Sequence, residues 1–158
     1  MDLAQFQNRI NDTIPLTRAL GVRAEHYDGQ RLVVSAPLEP NHNHQGTGFG
    51  GSLYSVAVVA AWGSVELKLA DFGLVGNVVV QSGGMTYSGP VAGDFKAVGQ
   101  LPPEHELARL QKSLQRHGKG RLMVTAEVYA TAQDGTPEGN ALATFEGRFV
   151  VQDARPVA

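Results

Sequence analysis

Apolar and polar positions follow three different rhythms along this chain. Leu3, Phe6 and Ile10 recur at helical spacing and predict a short amphipathic helix over residues 1–14, which Pro15 ends. Residues 21–27 and 30–38 read as two strands joined at Asp28-Gly29, a strong hairpin signal, with Leu32, Val34 and Ala36 on one face of the second. The stretch Asn41-His42-Asn43-His44-Gln45-Gly46-Thr47-Gly48-Phe49-Gly50-Gly51 is polar and glycine-dense and fits no regular element. Residues 52–70 then form one long helix that is apolar or small on nearly every side. Such a helix must be buried on most sides. Its small residues Ala57, Ala60, Ala61, Gly63 and Ser64 imply that something packs very close to its backbone.

Strand rhythm returns over residues 75–87, where Gly83-Gly84 marks a bulge or a close backbone approach, and over residues 94–101. Pro102-Pro103 starts a second helix whose single apolar stripe, Leu107, Leu110 and Leu114, makes it a surface helix. Residues 121–131 alternate cleanly, with Leu122, Val124, Ala126, Val128 and Ala130 facing one way. Residues 140–151 form the last strand, with Ala143, Phe145, Gly147 and Phe149 on one face, and residues 152–158 read as a frayed tail. Strands on both sides of one buried helix, joined mostly by short turns, predict an α+β domain spanning residues 1–158, an antiparallel sheet wrapped round the long helix.

Composition narrows the function classes. With 158 residues the chain can bury a real core as one domain. A net charge of -2 gives no reason to expect nucleic acid or an anionic membrane as partner. The absence of cysteine excludes disulfides, thiolate metal ligands and a cysteine nucleophile. The N-terminus lacks the basic and apolar regions of a signal peptide, and the apolar run Val56 to Trp62 is too short to span a bilayer, so a cytoplasmic protein is the expectation.

Three groups of residues carry candidate chemistry. Gly46-x-Gly48-x-x-Gly51 matches the letters of the dinucleotide fingerprint, but no strand ends at the first glycine and no second βαβ unit follows. Gly50 and Gly51 either serve a sharp bend or leave backbone N–H groups free at a helix N-terminus, where they can hold a carbonyl oxygen gaining negative charge. Asn43 is either a loop cap or a donor and acceptor for a water or a carbonyl. His42 and His44 lack the further ligands that a metal site needs, and no metal is expected. Lys112, Arg116, Lys119 and Arg121 surround the end of the surface helix, as dipole compensation on a solvated face or as a clamp for the phosphates of a long ligand such as coenzyme A.

Three segments in this order, residues 41–52, the helix 53–69 and the strand Val78-Val79-Val80-Gln81-Ser82 through Met85-Thr86-Tyr87-Ser88-Gly89-Pro90-Val91, resemble the hotdog-fold thioesterases. They are most similar to the thioesterase domain that forms the C-terminal half of YiiD-type proteins. The resemblance implies a hotdog fold, with a sheet of about five to six strands round one central helix. It also implies a homodimer or tetramer, an acyl-CoA or acyl-carrier-protein thioester as substrate, coenzyme A only as part of that substrate, and no other cofactor. By analogy with the phenylacetyl-CoA type, Asn43, Gly50 and Gly51 are the catalytic candidates, with Ser82 or Gln81 contributed across the dimer. His44, Phe49, Trp62, Tyr87, Arg116 and Lys119 are substrate-binding candidates, Phe49 and Trp62 beside an apolar acyl groove. Two positions depart from that type: Phe49 replaces the His of its motif, and Val58 stands where a catalytic Asp or Glu lies two turns into the helix. Glu66 is fifteen residues beyond Gly51, about 22 Å along the axis, too far to serve its own helix entrance. His42, His44, Asp71 or a partner's residue is left to activate water. An acyl thioester hydrolase is the expectation, with a non-catalytic acyl-CoA-binding protein, and then a hotdog dehydratase, as alternatives.

Overall fold

A computed structural model describes residues 1–158. The chain opens with α1 (Leu3–Thr13), capped by Asp2, whose carboxylate accepts the Gln5 N–H while the Gln5 side chain accepts the Asp2 N–H. Pro15 ends α1 and at once begins α2 (Pro15–Leu20), a helix that the sequence pattern missed. Proline suits a first helical position, where its missing N–H would have been unpaired anyway. Gly21, in the left-handed conformation with φ 70°, closes α2.

The strands are β1 (Arg23–Tyr27), β2 (Arg31–Ala36), β3 (Leu74–Tyr87), β4 (Phe95–Gln100), β5 (Gly120–Thr131) and β6 (Pro137–Pro156). They form one six-stranded sheet in the order β1-β2-β4-β5-β6-β3, antiparallel throughout. The long helix α3 (Gly50–Asp71) is enclosed by it, touching β2, β3, β4, β5 and β6. Alternation assigns the inner face as expected: Leu32 and Val34 from β2, Val124, Ala126 and Val128 from β5, and Ala143, Phe145 and Phe149 from β6 are all buried. The surface helix α4 (Glu104–His117) buries Leu107, Leu110 and Leu114. α3 has the length and apolarity to cross a membrane, yet 67% of its most apolar window is buried inside the fold, so it is the core of the domain.

The small residues of α3 mark where other backbone and rings touch it. A Cβ on Gly99 of β4 would collide with the Ala60 carbonyl and lie 2.6 Å from Ser64 Oγ. A Cβ on Gly63 would lie 2.5 Å from the Phe6 ring and 2.7 Å from Leu32.

Two strand details differ from the pattern. The pairing of β3 with β6 shifts between Val80 and Ser82, where Gln81 is the extra residue on β3, and between Val75 and Asn77, where the extra residue is on β6, with Asp153 and Ala154 opposite Gly76 and Asp153 at φ 53°. The glycine pair instead gives the close approach: a Cβ on Gly83 would lie 2.7 Å from the Phe145 ring. The segment expected to fray after Gln152 continues as strand, with Arg155 opposite Val75 and Pro156 opposite Leu74. Its exposed side chains carry no alternation, but backbone pairing needs none, and the Ala154 N–H also reaches the Gly118 carbonyl at 2.8 Å.

Because Gly99 faces backbone that cannot swing aside, Gly99→Ala should lower unfolding stability by about 1–3 kcal/mol. Gly84→Ala, with open space around it, should change stability little. Urea denaturation of the two variants checks the contrast.

Candidate active site

The loop before α3 is stitched down at three points. Asn41 is buried, and its side-chain amide donates to the Leu20 and Pro37 carbonyls at 2.8 Å each. Its carbonyl accepts the Phe49 N–H at 2.7 Å, and the Gly48 N–H reaches the Val91 carbonyl at 2.7 Å. Gly46 turns the loop at φ 76°.

α3 then starts without a side-chain cap. Phe49 occupies the N-cap position in extended conformation and has no oxygen to offer. The first amide that pairs within the helix is that of Leu53, which donates to the Phe49 carbonyl. The N–H groups of Gly50, Gly51 and Ser52 find no acceptor in the protein. They point out at the positive end of a 22-residue helix, the arrangement that favours an incoming anion or a developing oxyanion. Two rings flank the glycines. The Phe49 ring lies 2.6 Å from where a Gly51 Cβ would be, and Tyr87, 3.3 Å from the corresponding point on Gly50, donates its hydroxyl proton to the Gly50 carbonyl at 2.7 Å.

Beside this entrance runs an apolar groove of about 530 Å³. Ile14 and α2 as far as Leu20 form one wall, Tyr54, Ser55, Val58, Val59 and Trp62 of α3 the floor, and Val78, Val79 and Val80 of β3 the other wall. Trp62 is pinned there by its indole N–H, which donates to the Val78 carbonyl at 2.9 Å.

The candidate residues divide. Gly50, Gly51, Phe49 and Tyr87 come together, but Phe49 covers Gly51 and is not among the groove walls. Asn43 is committed to its own loop: its carbonyl oxygen accepts the Gln45 and Thr47 N–H groups, and its amide donates to Thr47 Oγ1 at 2.9 Å. His42, exposed on the same loop, has Nδ1 2.9 Å from the Asn43 carbonyl. A carbonyl can only accept, so this bond places a proton on Nδ1, and in the neutral ring Nε2 is then the acceptor. His44 is exposed, and Ser82 is exposed on β3, roughly 17 Å along the strand from Tyr87 and so away from this chain's own helix entrance. Arg116 and Lys119 are both exposed and outside any ion pair. Lys119 shares a cleft of about 590 Å³ with Arg109, Arg121 and Gln81, while Arg116 lies outside it.

Neither carboxylate of α3 serves the entrance. Glu66 is 4% exposed and paired with Arg9 at 2.8 Å. Asp71, at the far end of α3, accepts the Tyr27 hydroxyl at 2.7 Å and faces Lys68 at 3.6 Å. Burial and the adjoining Asp71 push the Tyr27 hydroxyl far above the usual tyrosine range. No three metal-ligating side chains converge.

A single central helix wrapped by an antiparallel sheet, with free amides at its entrance and an apolar groove alongside, defines a hotdog protein. The chain belongs to the YiiD C-terminal family, described as a putative thioesterase, which matches residues 3–153. A protein of unknown function from Chlorobaculum tepidum TLS is 37% identical, covering 94% of this chain and 93% of its own, with a TM-score of 0.86. A putative thioesterase from Shewanella oneidensis is 26% identical over 95% of this chain and 96% of its own, TM-score 0.82. The PaaI protein of the E. coli phenylacetic acid degradation operon shares the fold at 17% identity and TM-score 0.63, covering 99% of this chain and 94% of its own.

Burial holds the Glu66 carboxyl above its ordinary value of 4.5, with Arg9 pulling the other way. The native state therefore binds this proton more tightly than the unfolded chain does. The cost of burying the charge is absent below the ordinary value and grows as pH rises through the native one. Arg9→Met removes the compensating cation and should cost about 1–3 kcal/mol at pH 7, a deficit that shrinks as pH falls towards 4.5. Urea denaturation across that pH range measures it.

Proposed function

We propose that this protein hydrolyses acyl-CoA thioesters, and the observation that carries the reading is the set of unpaired amides at Gly50 and Gly51 beside the apolar groove. The thioester carbonyl oxygen accepts the Gly51 N–H, seconded by Gly50, and these donors strengthen their hold as negative charge develops. Water attacks the carbonyl carbon. Its oxygen–carbon bond forms as the carbon–sulfur bond breaks. The water proton passes to His42 Nε2 and from there to the departing thiolate. Asn43 acts by holding the loop that presents His42. Ser82 enters from the facing subunit, the acyl chain lies in the groove over Trp62, and Lys119 and Arg116 meet the coenzyme A phosphates. The reaction needs no other cofactor.

The facing subunit follows from β3. This strand pairs only with β6, and Val79 and Val80 on it are 48% and 46% exposed. A long apolar edge of this kind is a template for a second strand. We infer a homodimer joined along β3, which brings one protomer's β3 beside the other's groove. Sedimentation velocity should give twice the 16.8 kDa chain mass for the parent, and the monomer mass for Val79→Lys.

One observation favours a second reading, binding of acyl-CoA without turnover: Val58, which stands where the phenylacetyl-CoA type carries a carboxylate, is part of the groove's floor. Release of free thiol from a panel of acyl-CoAs separates the two. Gly51→Pro keeps the helix, because proline is tolerated in a first turn, and removes one donor. Set in a Phe49→Ala background, to clear the ring, it should lower kcat about 100- to 1000-fold relative to Phe49→Ala alone. His42→Gln should lower kcat about 100-fold with KM held. Acyl-CoA bound by the parent with no thiol released establishes the second reading instead.

A further inference from the structure

Gly51, Ser55, Val58, Val59 and Trp62 stand at i, i+4, i+7, i+8 and i+11 and so form one stripe along α3. The stripe begins at a free amide and ends at the largest side chain in the groove. Along the stripe the polar groups are already engaged, and the one unpartnered hydroxyl in the lining, Tyr54 Oη, lies off the stripe, 3.1 Å from where a Gly83 Cβ would be. Ser55 Oγ is committed to the Gly51 carbonyl at 2.9 Å, and Thr17 Oγ1, on the facing wall, to the Ile14 carbonyl at 2.8 Å. A hydroxyl or charge on the acyl chain would lose its water without gaining a partner, so these walls suit a plain hydrocarbon.

Trp62 cannot swing out of the way. Its indole N–H is held by the Val78 carbonyl, and the fully buried Phe6 ring stands behind it, 6.0 Å between centroids. Phe6 is itself seated against Gly63, where a side chain would collide with it.

On the hydrolytic reading above, we propose that Trp62 is the residue that sets acyl-chain length, and that the preferred substrate is a straight-chain aliphatic thioester of medium length. From Gly51 to Trp62 the helix advances about 16 Å at 1.5 Å per residue. An extended hydrocarbon built from bonds of about 1.52 Å advances roughly 1.3 Å per carbon, so the terminal methyl meets the indole at about twelve carbons.

The test uses S-(2-oxoalkyl)-CoA ketones of increasing chain length, which keep the carbonyl but have no acyl–sulfur bond to cleave. Binding is followed by titration calorimetry and by the fluorescence of Trp62, the only tryptophan in the chain. Affinity should rise about fourfold per methylene until about twelve carbons, then level off. Trp62 emission should change only for chains that reach it. Trp62→Ala should move the plateau to longer chains. Val58→Phe, which leaves the Phe6 and Val78 contacts of Trp62 in place, should move it to shorter ones. A plateau that stays put in both variants, or binding independent of chain length, overturns the assignment to Trp62 and leaves hydrolysis to the thiol-release assay. No binding by any ketone overturns both.

Discussion

An N–H group at the start of a helix has no partner within that helix, and most proteins supply one with a Ser, Thr, Asp or Asn at the cap. Here the cap position holds Phe49, and the donors of Gly50, Gly51 and Ser52 are left to whatever enters from outside. Donors at an open helix end can be satisfied by solvent, so the arrangement costs little at rest. It becomes useful when a carbonyl oxygen arrives and its charge grows. The absence of a Cβ at both glycines matters equally, because it leaves the amides reachable beneath two aromatic rings.

Everything that fixes this entrance is ordinary fold physics. The direction of α3 is set by contacts that allow no side chain, Gly99 against Ala60 on one side and Gly63 against Phe6 on another. The loop is set by Asn41, a buried polar residue whose amide bonds tie three segments together. The groove exists because α2 turns back over α3 and supplies its outer wall. The rod, its wrapping and its open end are therefore one construction, and the depth of the groove follows from where Trp62 is held.

The fold was legible because its signals repeat: an apolar helix with small residues, and the two-residue alternation of β2, β5 and β6, leave one economical architecture. Gly50-Gly51 was legible as an entrance because the pair stands directly before that helix. Other parts were hidden for physical reasons. α2 has six residues, too few for a periodic pattern, and Pro15 marks the end of one helix and the start of the next equally well. The pairing of Arg155 with Val75 runs through backbone, which side-chain pattern does not report. Asn41 was one polar residue in a polar loop, and only coordinates show it buried while Asn43 caps its own turn. Arg109, which lines the same cleft as Lys119, is not among the basic residues that the sequence singles out at the end of the surface helix.

The amides themselves are the most direct place to look. In protein labelled with nitrogen-15, titration with an S-(2-oxoalkyl)-CoA ketone should move the Gly51 amide proton downfield, with Gly50 following, as each becomes hydrogen-bonded to the ketone oxygen. A ketone that binds tightly, shifts the resonances of Trp62 and Val79, and leaves Gly50 and Gly51 unmoved would contradict the account.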